Sequence, residues 1–381
     1  GEVITTKRGE LSVKVSDWTL AAKSLRPLPD KWHGLADRGQ RFRQRAVDLI
    51  VNENARQTAL TRSRVVSGLR RAYESRGFLE VETPMLQVQP GGALAKPFVT
   101  HHNALDIPMY LRIAPELYLK RLVVGVFERV FEINRNFRNE GIDATHNPEF
   151  TMLEAYEAYA DAEDVMATCE AVLRETVTEV LGETTITFPA EDGRPLDLHG
   201  DFRRLPMSEA VSEAVGTDVD PTMPVGELAA IARRHDVEPD EGQGSGKLIE
   251  RLFEALIEPT LWEPVFVTEH PIETSPLAKA HRDKPGVTER FELFVAGWEI
   301  ANGFTELNDP IDQRTRFEGQ AAAKAAGDEE AHGIDEDYIA ALEQGMPPTG
   351  GIGIGVDRLV MLLTGHETIR EVVLFPHLRP E

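Results

Sequence analysis

Residues 150–156 alternate between two kinds of side chain, as an extended strand would require. Successive side chains of a strand point to opposite faces, so one face receives Phe150, Met152, Glu154 and Tyr156. A carboxylate on a face that only packs against a core would lack a partner, at a cost in free energy. The pattern therefore predicts a strand whose mixed face binds a flat ring and a cation. An edge strand with one solvated face is the alternative.

A second segment, residues 350–356, is a strand punctuated by glycine. Gly351, Gly353 and Gly355 leave one face bare, so that a ligand can approach the backbone closely. Arg358 opens the following helix, where it can bind a phosphate or stack on a base. The glycine spacing is not that of a dinucleotide-binding fingerprint. Residues 242–247 also fail as a phosphate-binding loop, because Leu248 follows Lys247 where Ser or Thr is required.

Arg138 follows a predicted strand, Val130 to Phe137, and its planar guanidinium can bind a phosphate through two hydrogen bonds. Glu140 can accept a hydrogen bond from an exocyclic amine. An Arg-x-Glu sequence is common on protein surfaces, so the prediction depends on the whole segment 137–152. Together with residues 351–358, this segment suits a site that binds ATP with side chains and without a phosphate-binding loop.

Residues 291–307 predict two strands joined at Gly297. If Val295 and Ala296 are the turn residues, Glu292 and Glu299 lie directly opposite each other and repel unless a cation lies between them. Magnesium fits, since it binds carboxylates together with substrate phosphates. Two solvated carboxylates are the alternative. Further along, one strand face carries an amide, an aromatic ring and a carboxylate, which suit an amino acid with a basic side chain: Asn302, Phe304 and Glu306.

Strands joined by tight hairpins and mixed with helices predict an α+β fold, an antiparallel sheet flanked by helices. Residues 1–26 form strands that look like the end of a domain, and residues 27–57 form a linker and a helix. Residues 58–381 form one large domain with a helical insertion around 203–260.

Composition excludes some functions. The 381 residues carry 41 basic and 64 acidic side chains, a net charge of −23, which argues against binding nucleic acid mainly through a broad basic surface. No apolar run is long enough to span a membrane. The single cysteine, Cys169, cannot form an internal disulfide, and a reducing cytoplasmic location is expected.

In this order, the motifs resemble those of class II lysyl-tRNA synthetases of bacterial type across nearly the whole chain. The resemblance covers Glu82-Thr83-Pro84-Met85 (motif 1), residues 112–121, residues 137–152 (motif 2), residues 274–278 and residues 351–358 (motif 3). It implies the class II catalytic core. It also implies that residues 1–26 are the C-terminal strands of an OB-fold anticodon-binding domain, most of which this chain lacks.

The resemblance also implies roles for individual residues. Arg138 and Arg358 would be the catalytic arginines. The implied ATP contacts are Arg138, Glu140, His146, Phe150, Glu292 and Arg358, and the implied magnesium ligands are Glu292 and Glu299. The implied lysine contacts are Gly92, Glu116, Arg138, Glu154, Tyr156, Asn302, Phe304, Glu306 and Gly353.

The implied activity is that of a lysine–tRNA ligase, a homodimer acting on ATP, L-lysine and tRNA(Lys) with Mg²⁺. One alternative is a lysyltransferase paralogue that modifies a protein such as elongation factor P. Gly353 argues against it, because those relatives tend to carry Ala there. A second is a non-catalytic regulator that binds lysine or nucleotide. An aspartate- or asparagine-specific relative is rejected, because an acidic substrate would want cations where Glu154 and Glu306 stand.

Overall fold

The computed structural model describes residues 1–29, 35–189, 193–240, 242–325, 327 and 331–380, in two units, 1–53 and 54–381. The first unit contains an antiparallel hairpin, β1 (Glu2–Thr5) and β2 (Leu11–Lys14), and two short helices, α1 (Arg38–Arg43) and α2 (Arg45–Val51). The hairpin turn falls at residues 7–10, with Gly9 at φ 85°. Residues 30–34 of the predicted linker lie outside the described part of the chain.

The second unit begins within helix α3 (Glu53–Ser75), which starts before residue 58, the predicted start of the large domain. Its other helices are α4 (Glu116–Val124), α5 (Ala162–Leu181), α6 (Met207–Val215), α7 (Val225–Arg234), α8 (Ser245–Leu256), α9 (Pro310–Ala325), α10 (Glu336–Leu342), α11 (Val356–Thr364) and α12 (Ile369–Val372). No helix in the described ranges is long and apolar enough to cross a membrane.

The strands of this unit build one large sheet and two small ones. In chain order they are β3 (Leu79–Glu80), β4 (Leu86–Gln87), β5 (Val99–His102), β6 (Ile107–Leu111), β7 (Arg129–Phe137), β8 (Glu149–Ala158), β9 (Thr185–Phe188), β10 (Arg194–Asp197), β11 (Arg203–Pro206), β12 (Val265–Thr268), β13 (Arg290–Val295), β14 (Trp298–Thr305) and β15 (Thr349–Gly355). Among the described residues, the large sheet has eight strands in the order β11-β12-β13-β14-β15-β8-β7-β3. Its pairings are antiparallel except β11–β12 and β3–β7, so the predicted antiparallel α+β layout is confirmed.

One face of this sheet packs on α5, and the opposite face carries the polar side chains. Helix α5 begins at Asp161, whose carboxylate accepts hydrogen bonds from the backbone N–H groups of Glu163 and Asp164, and ends at Gly182 in the left-handed region. Its apolar side, including the buried Cys169, joins Leu153 and Ile352 of the sheet in the main core. Because β8 lies between β15 and β7, the edge-strand alternative for residues 150–156 is wrong.

The predicted insertion, residues 203–260, begins with a strand. Residues 203–206 form β11 at the edge of the large sheet, and the helical part starts at Met207. Helices α6, α7 and α8 pack around a second core that also takes Val267 and Phe294 from the sheet. The N-terminus of α8 binds a carboxylate of the protein itself. Glu273 accepts hydrogen bonds from the backbone N–H groups of Gly244 (3.0 Å) and Gly246 (2.9 Å). That arrangement agrees with the rejection of a phosphate-binding loop at 242–247.

Candidate active site

A cavity of about 430 Å³ lies over the polar face of the large sheet, between β8, β13, β14 and β15 and the start of α4. Every side chain and glycine predicted as a site residue lines this one cavity: Gly92, Glu116, Arg138, Glu140, His146, Phe150, Glu154, Tyr156, Glu292, Glu299, Asn302, Phe304, Glu306, Gly353 and Arg358. Their shared location is a finding; the ligand of each remains a prediction.

Two arginines frame one end of the cavity. The guanidinium carbon of Arg138 lies 5.1 Å from the centroid of the Phe150 ring, and its buried Nε has no hydrogen-bond partner among the described residues. Burial disfavours the charged form of Arg138 and lowers its pKa, so an anionic ligand would stabilise the charged guanidinium. Arg358 donates from Nη1 to the backbone oxygen of Glu299 (2.8 Å) and to its carboxylate (3.3 Å). Two guanidinium groups therefore reach the same space, where they could bind phosphate groups.

The two predicted metal ligands share a sheet face, but they do not lie opposite each other. The turn residues are Ala296 and Gly297, both at positive φ (53° and 75°), so Val295 pairs with Trp298. Glu292 pairs with Asn302 and Phe294 with Glu299, and the register shifts between them. The predicted turn at Val295 and Ala296 and the direct Glu292–Glu299 pairing are therefore wrong. Ile300 is left unpaired in a β-bulge, so that Glu299, opposite Phe294, and Asn302, opposite Glu292, both lie on the sheet face of Glu292.

The other end of the cavity is a buried cluster of carboxylates. Glu116, Glu154 and Glu306 are 7%, 4% and 1% exposed. Burial, reinforced by the charge of Glu116, raises the pKa of Glu154 to about 8, and Tyr156 donates its hydroxyl to Glu154 at 3.2 Å. Buried carboxylates at this density require cations. The end opposite the arginines therefore suits ammonium groups.

Two glycines fit this cluster because a methyl group would not. A Cβ on Gly351 would lie 1.9 Å from Oε1 of Glu306 and 2.6 Å from Cε1 of Tyr156. A Cβ on Gly92, at φ +90°, would lie 2.9 Å from Cβ of Glu116. A Cβ on Gly353 would lie 2.8 Å from Cε of Met152, the end of a flexible side chain. The predicted bare face of β15 is therefore filled by neighbouring side chains at Gly351.

Sequence reasoning missed several residues that organise the cavity. Arg290 on β13 donates to Glu292 (2.6 Å) and to Asn302 (3.2 Å). Lys120, one helical turn after Glu116, lies beneath the carboxylate cluster, and the i, i+4 spacing was the available signal. Asp357 accepts from Arg62 of α3 (2.5 Å) and from the backbone N–H of Thr151 (2.6 Å), which links three elements beside Arg358.

The cavity as a whole favours cationic ligands. Among the described residues, eight acidic side chains and three arginines line it. The field extends into the insertion, where burial and the carboxylates Glu254, Glu292 and Glu299 raise the pKa of Glu258 to about 7. An acidic amino acid would meet repulsion here, whereas a diamino acid would not, and a triphosphate would need Arg138, Arg358 and bound metal to offset its own negative charge.

Comparison with known proteins agrees with this geometry. Residues 37–379 match the family described as tRNA synthetases class II (D, K and N). The chain belongs to this family, in its lysine–tRNA ligase branch. A lysine–tRNA ligase of Carboxydothermus hydrogenoformans is 55% identical over 380 residues, covering 100% of this chain and 77% of the relative. Those of Xanthomonas oryzae pv. oryzae and Bacillus subtilis are 56% and 54% identical, each with 100% of this chain and 75% of the relative covered.

In this synthetase, the fold therefore brings the motif 2 strand β8 and the motif 3 strand β15 side by side. Glu154 pairs with Gly353, and Tyr156 pairs with Gly351. Residues separated by about 200 positions in the sequence thus form one floor, with the arginines at one end and the carboxylates at the other. The resemblance stated from sequence motifs is confirmed at the level of the family.

Proposed function

We propose that this synthetase is a lysine–tRNA ligase that activates L-lysine with ATP and transfers it to tRNA(Lys). One observation carries the proposal: Arg138 and Arg358 share a cavity with the buried carboxylates Glu116, Glu154 and Glu306. The arginines would bind the phosphates and the substrate carboxylate. The carboxylates would bind the two ammonium groups of lysine. Asn302, Phe304, Gly92 and Gly353 would complete the lysine pocket.

The first step needs positioning more than acid–base chemistry. The lysine carboxylate is ionised at neutral pH, so it can attack the α-phosphorus without a general base, and pyrophosphate leaves. Arg138 would hold the α-phosphate and the attacking carboxylate together, while Arg358 would stabilise the phosphate charge from the other side. Glu140 and Phe150 would bind the adenine, with His146 near the terminal phosphates.

Magnesium fits the residues present. Glu292 and Glu299 bring two carboxylates to one sheet face, and after burial they are among the causes that raise the pKa of nearby Glu258 to about 7. In the described ranges, no group of three or more His, Cys, Asp or Glu side chains could hold a metal ion by itself. Phosphate oxygens would therefore complete the coordination, as is usual for Mg²⁺. When bound, the ion would supply positive charge to the triphosphate.

The assembly and acceptor are also proposals. Residues 82–85 resemble motif 1, which forms the subunit interface in this class, so we propose a homodimer; light scattering after size-exclusion chromatography tests it. The β1–β2 hairpin would be the end of an anticodon-binding OB-fold. A cytoplasmic location remains a prediction.

Exchange of radiolabelled pyrophosphate into ATP, measured with each of the twenty amino acids, tests the activation step. Exchange that depends on lysine alone supports the proposal; absence of exchange, or equal exchange with another amino acid, contradicts it. A second assay, with radiolabelled lysine and either tRNA(Lys) or elongation factor P, then separates the acceptors, because only a lysine–tRNA ligase transfers the lysine to the tRNA.

A further inference from the structure

Lys120 is a fully buried cation in the middle of the carboxylate cluster. Its side chain is 0% exposed, and its Nζ lies 2.5 Å from Oε1 of Glu116. The same nitrogen forms an ion pair with Oε2 of Glu306 and lies 5.2 Å from the centroid of the Phe304 ring. One ammonium group thus joins helix α4 to the residue that follows β14.

The two carboxylates that would bind the substrate's ammonium groups therefore each already use one oxygen. Oε1 of Glu116 and Oε2 of Glu306 both pair with Nζ of Lys120. Oε1 of Glu306 lies over the bare backbone of Gly351 and, among the described residues, has no hydrogen-bond partner. Oε1 of Glu306 is therefore available to another cation. Lysine has two ammonium groups, one at each end of its side chain.

We propose that Lys120 is a positioning residue that sets the distance between the two ammonium subsites of the lysine pocket. By binding one oxygen of Glu116 and one oxygen of Glu306, it fixes the spacing of the oxygens that receive the α- and ε-ammonium groups. This inference rests on the proposed function. It assigns to Lys120 a part in substrate selection without contact with the substrate.

The charges around Lys120 explain why a fixed cation is needed. It faces Glu116 on its own helix, Glu306 after β14 and Tyr338 on α10. From the neighbouring strands, Arg290 of β13 acts on Glu116 and Glu154 of β8 acts on Glu306. Burial opposes the charge of Lys120, but Glu116 and Glu306 raise its pKa above the ordinary value. Burial raises the pKa of both carboxylates, and Lys120 counteracts that rise. Without it, the pair would repel or take up protons.

Lys120→Met tests the inference, because Met keeps the length and removes the charge. The KM for lysine in pyrophosphate exchange is expected to rise about tenfold or more, while the KM for ATP changes by less than about threefold. The preference for lysine over ornithine, which is one methylene shorter, is expected to fall. Arg45→Met is the matched control: the Arg45 side chain is also buried, at 3% exposed, and pairs with Asp48 at 2.5 Å, but it does not line the cavity.

The pH profile separates positioning from general damage. Without Lys120 the carboxylates hold their protons to higher pH, so the acidic limb of kcat/KM for lysine is expected to move up by about one pH unit. If Lys120→Met does not fold, Lys120→Arg keeps the cation but moves its contact point; it is expected to change the lysine-to-ornithine ratio with little change in the KM for ATP.

Equal changes in the KM values for lysine and ATP, or an unchanged lysine-to-ornithine ratio in the folded variant, would overturn the role of Lys120. Exchange by the wild-type protein distinguishes failure of the proposed function from failure of the role of Lys120. If the wild-type protein shows no lysine-dependent exchange, the proposed function fails; if it exchanges normally and the variant does too, only this inference fails.

Discussion

Arg358 donates a hydrogen bond from Nη2 to Nε2 of His146 at 3.1 Å. An arginine has no acceptor, so Nε2 must accept and the ring proton must be on Nδ1. That proton is donated to Asp143, whose Oδ2 lies 2.7 Å away. Burial opposes ionisation of Asp143, but hydrogen bonds from His146 and from the backbone of Thr145 and His146 lower its pKa to about 2. The three side chains form a chain from motif 3 to the motif 2 loop.

Asp143→Asn should weaken ATP binding selectively, because it removes the charge that fixes the His146 tautomer. We expect the KM for ATP to rise about threefold to tenfold, with the KM for lysine nearly constant. Steady-state pyrophosphate exchange measures both. Asp106→Asn is the matched control, since Asp106 makes a similar exposed pair with His101 (3.1 Å) and does not line the cavity. A parallel rise in both KM values would count against the Asp143–His146–Arg358 chain.

Gly350 and Gly351 are neighbours on β15 whose methyl variants should fail in different ways. A Cβ on Gly350 would lie 2.4 Å from Cγ2 of Val165 in the core, whereas a Cβ on Gly351 would meet Glu306 and Tyr156 in the cavity. Gly350→Ala is expected to lower the free energy of unfolding by about 1–3 kcal/mol. Gly351→Ala is expected to raise the KM for lysine by about 100-fold, with a smaller loss of stability.

Melting temperature and exchange kinetics, measured on both glycine variants, check this contrast. If both variants lose stability and raise the KM for lysine to the same extents, the two faces of β15 do not separate the core from the substrate pocket.

Glu154 should make the stability of the ligand-free protein depend on pH. Burial and Glu116 raise its pKa to about 8 from an ordinary 4.5. A raised folded-state pKa means that the contribution of the protonated group is fully present below about pH 4.5 and is lost as the pH rises through about 8. Glu154→Gln removes this loss. The stability of the variant relative to wild type should therefore increase over that range, by at most about 1.4 kcal/mol per pH unit.

Urea unfolding of both proteins at four pH values between 5 and 8 measures that difference. A difference that does not vary with pH would show that Glu154 is ionised in the empty cavity.

The sequence could predict which side chains share a face, but not always which ones meet. The period of two along β8, and from Asn302 of β14 to the residue after it, identifies the faces of Glu154 and Glu306 without knowledge of the partner strand. The pairing of Glu292 depends on the turn at Ala296 and on the bulge at Ile300. The sequence of residues 295–302 is compatible with a turn at more than one position. A shift of one residue in the turn changes every pair beyond it.

Buried charges were harder to predict than exposed ones. Lys120 lies in a helix whose sequence also suits a surface position, and its burial depends on α10 and on Glu306, far away in the chain. Arg290 likewise resembles a surface residue until β13 pairs with β14. Family resemblance supplied the residues that we propose contact the ligands, whereas the residues that hold them in place required the structure.

The most direct test of the account is the amino-acid discrimination of Glu306→Gln. Glu306 is 1% exposed and is the carboxylate that would meet the ε-ammonium group. Pyrophosphate exchange with lysine and with norleucine, which lacks that ammonium, gives the ratio of the two kcat/KM values. We expect the preference of Glu306→Gln for lysine over norleucine to fall by about 100-fold or more. The control variant Glu318→Gln, at an exposed position, is expected to keep the wild-type preference. An intact preference in Glu306→Gln would contradict the central claim that this buried carboxylate selects lysine.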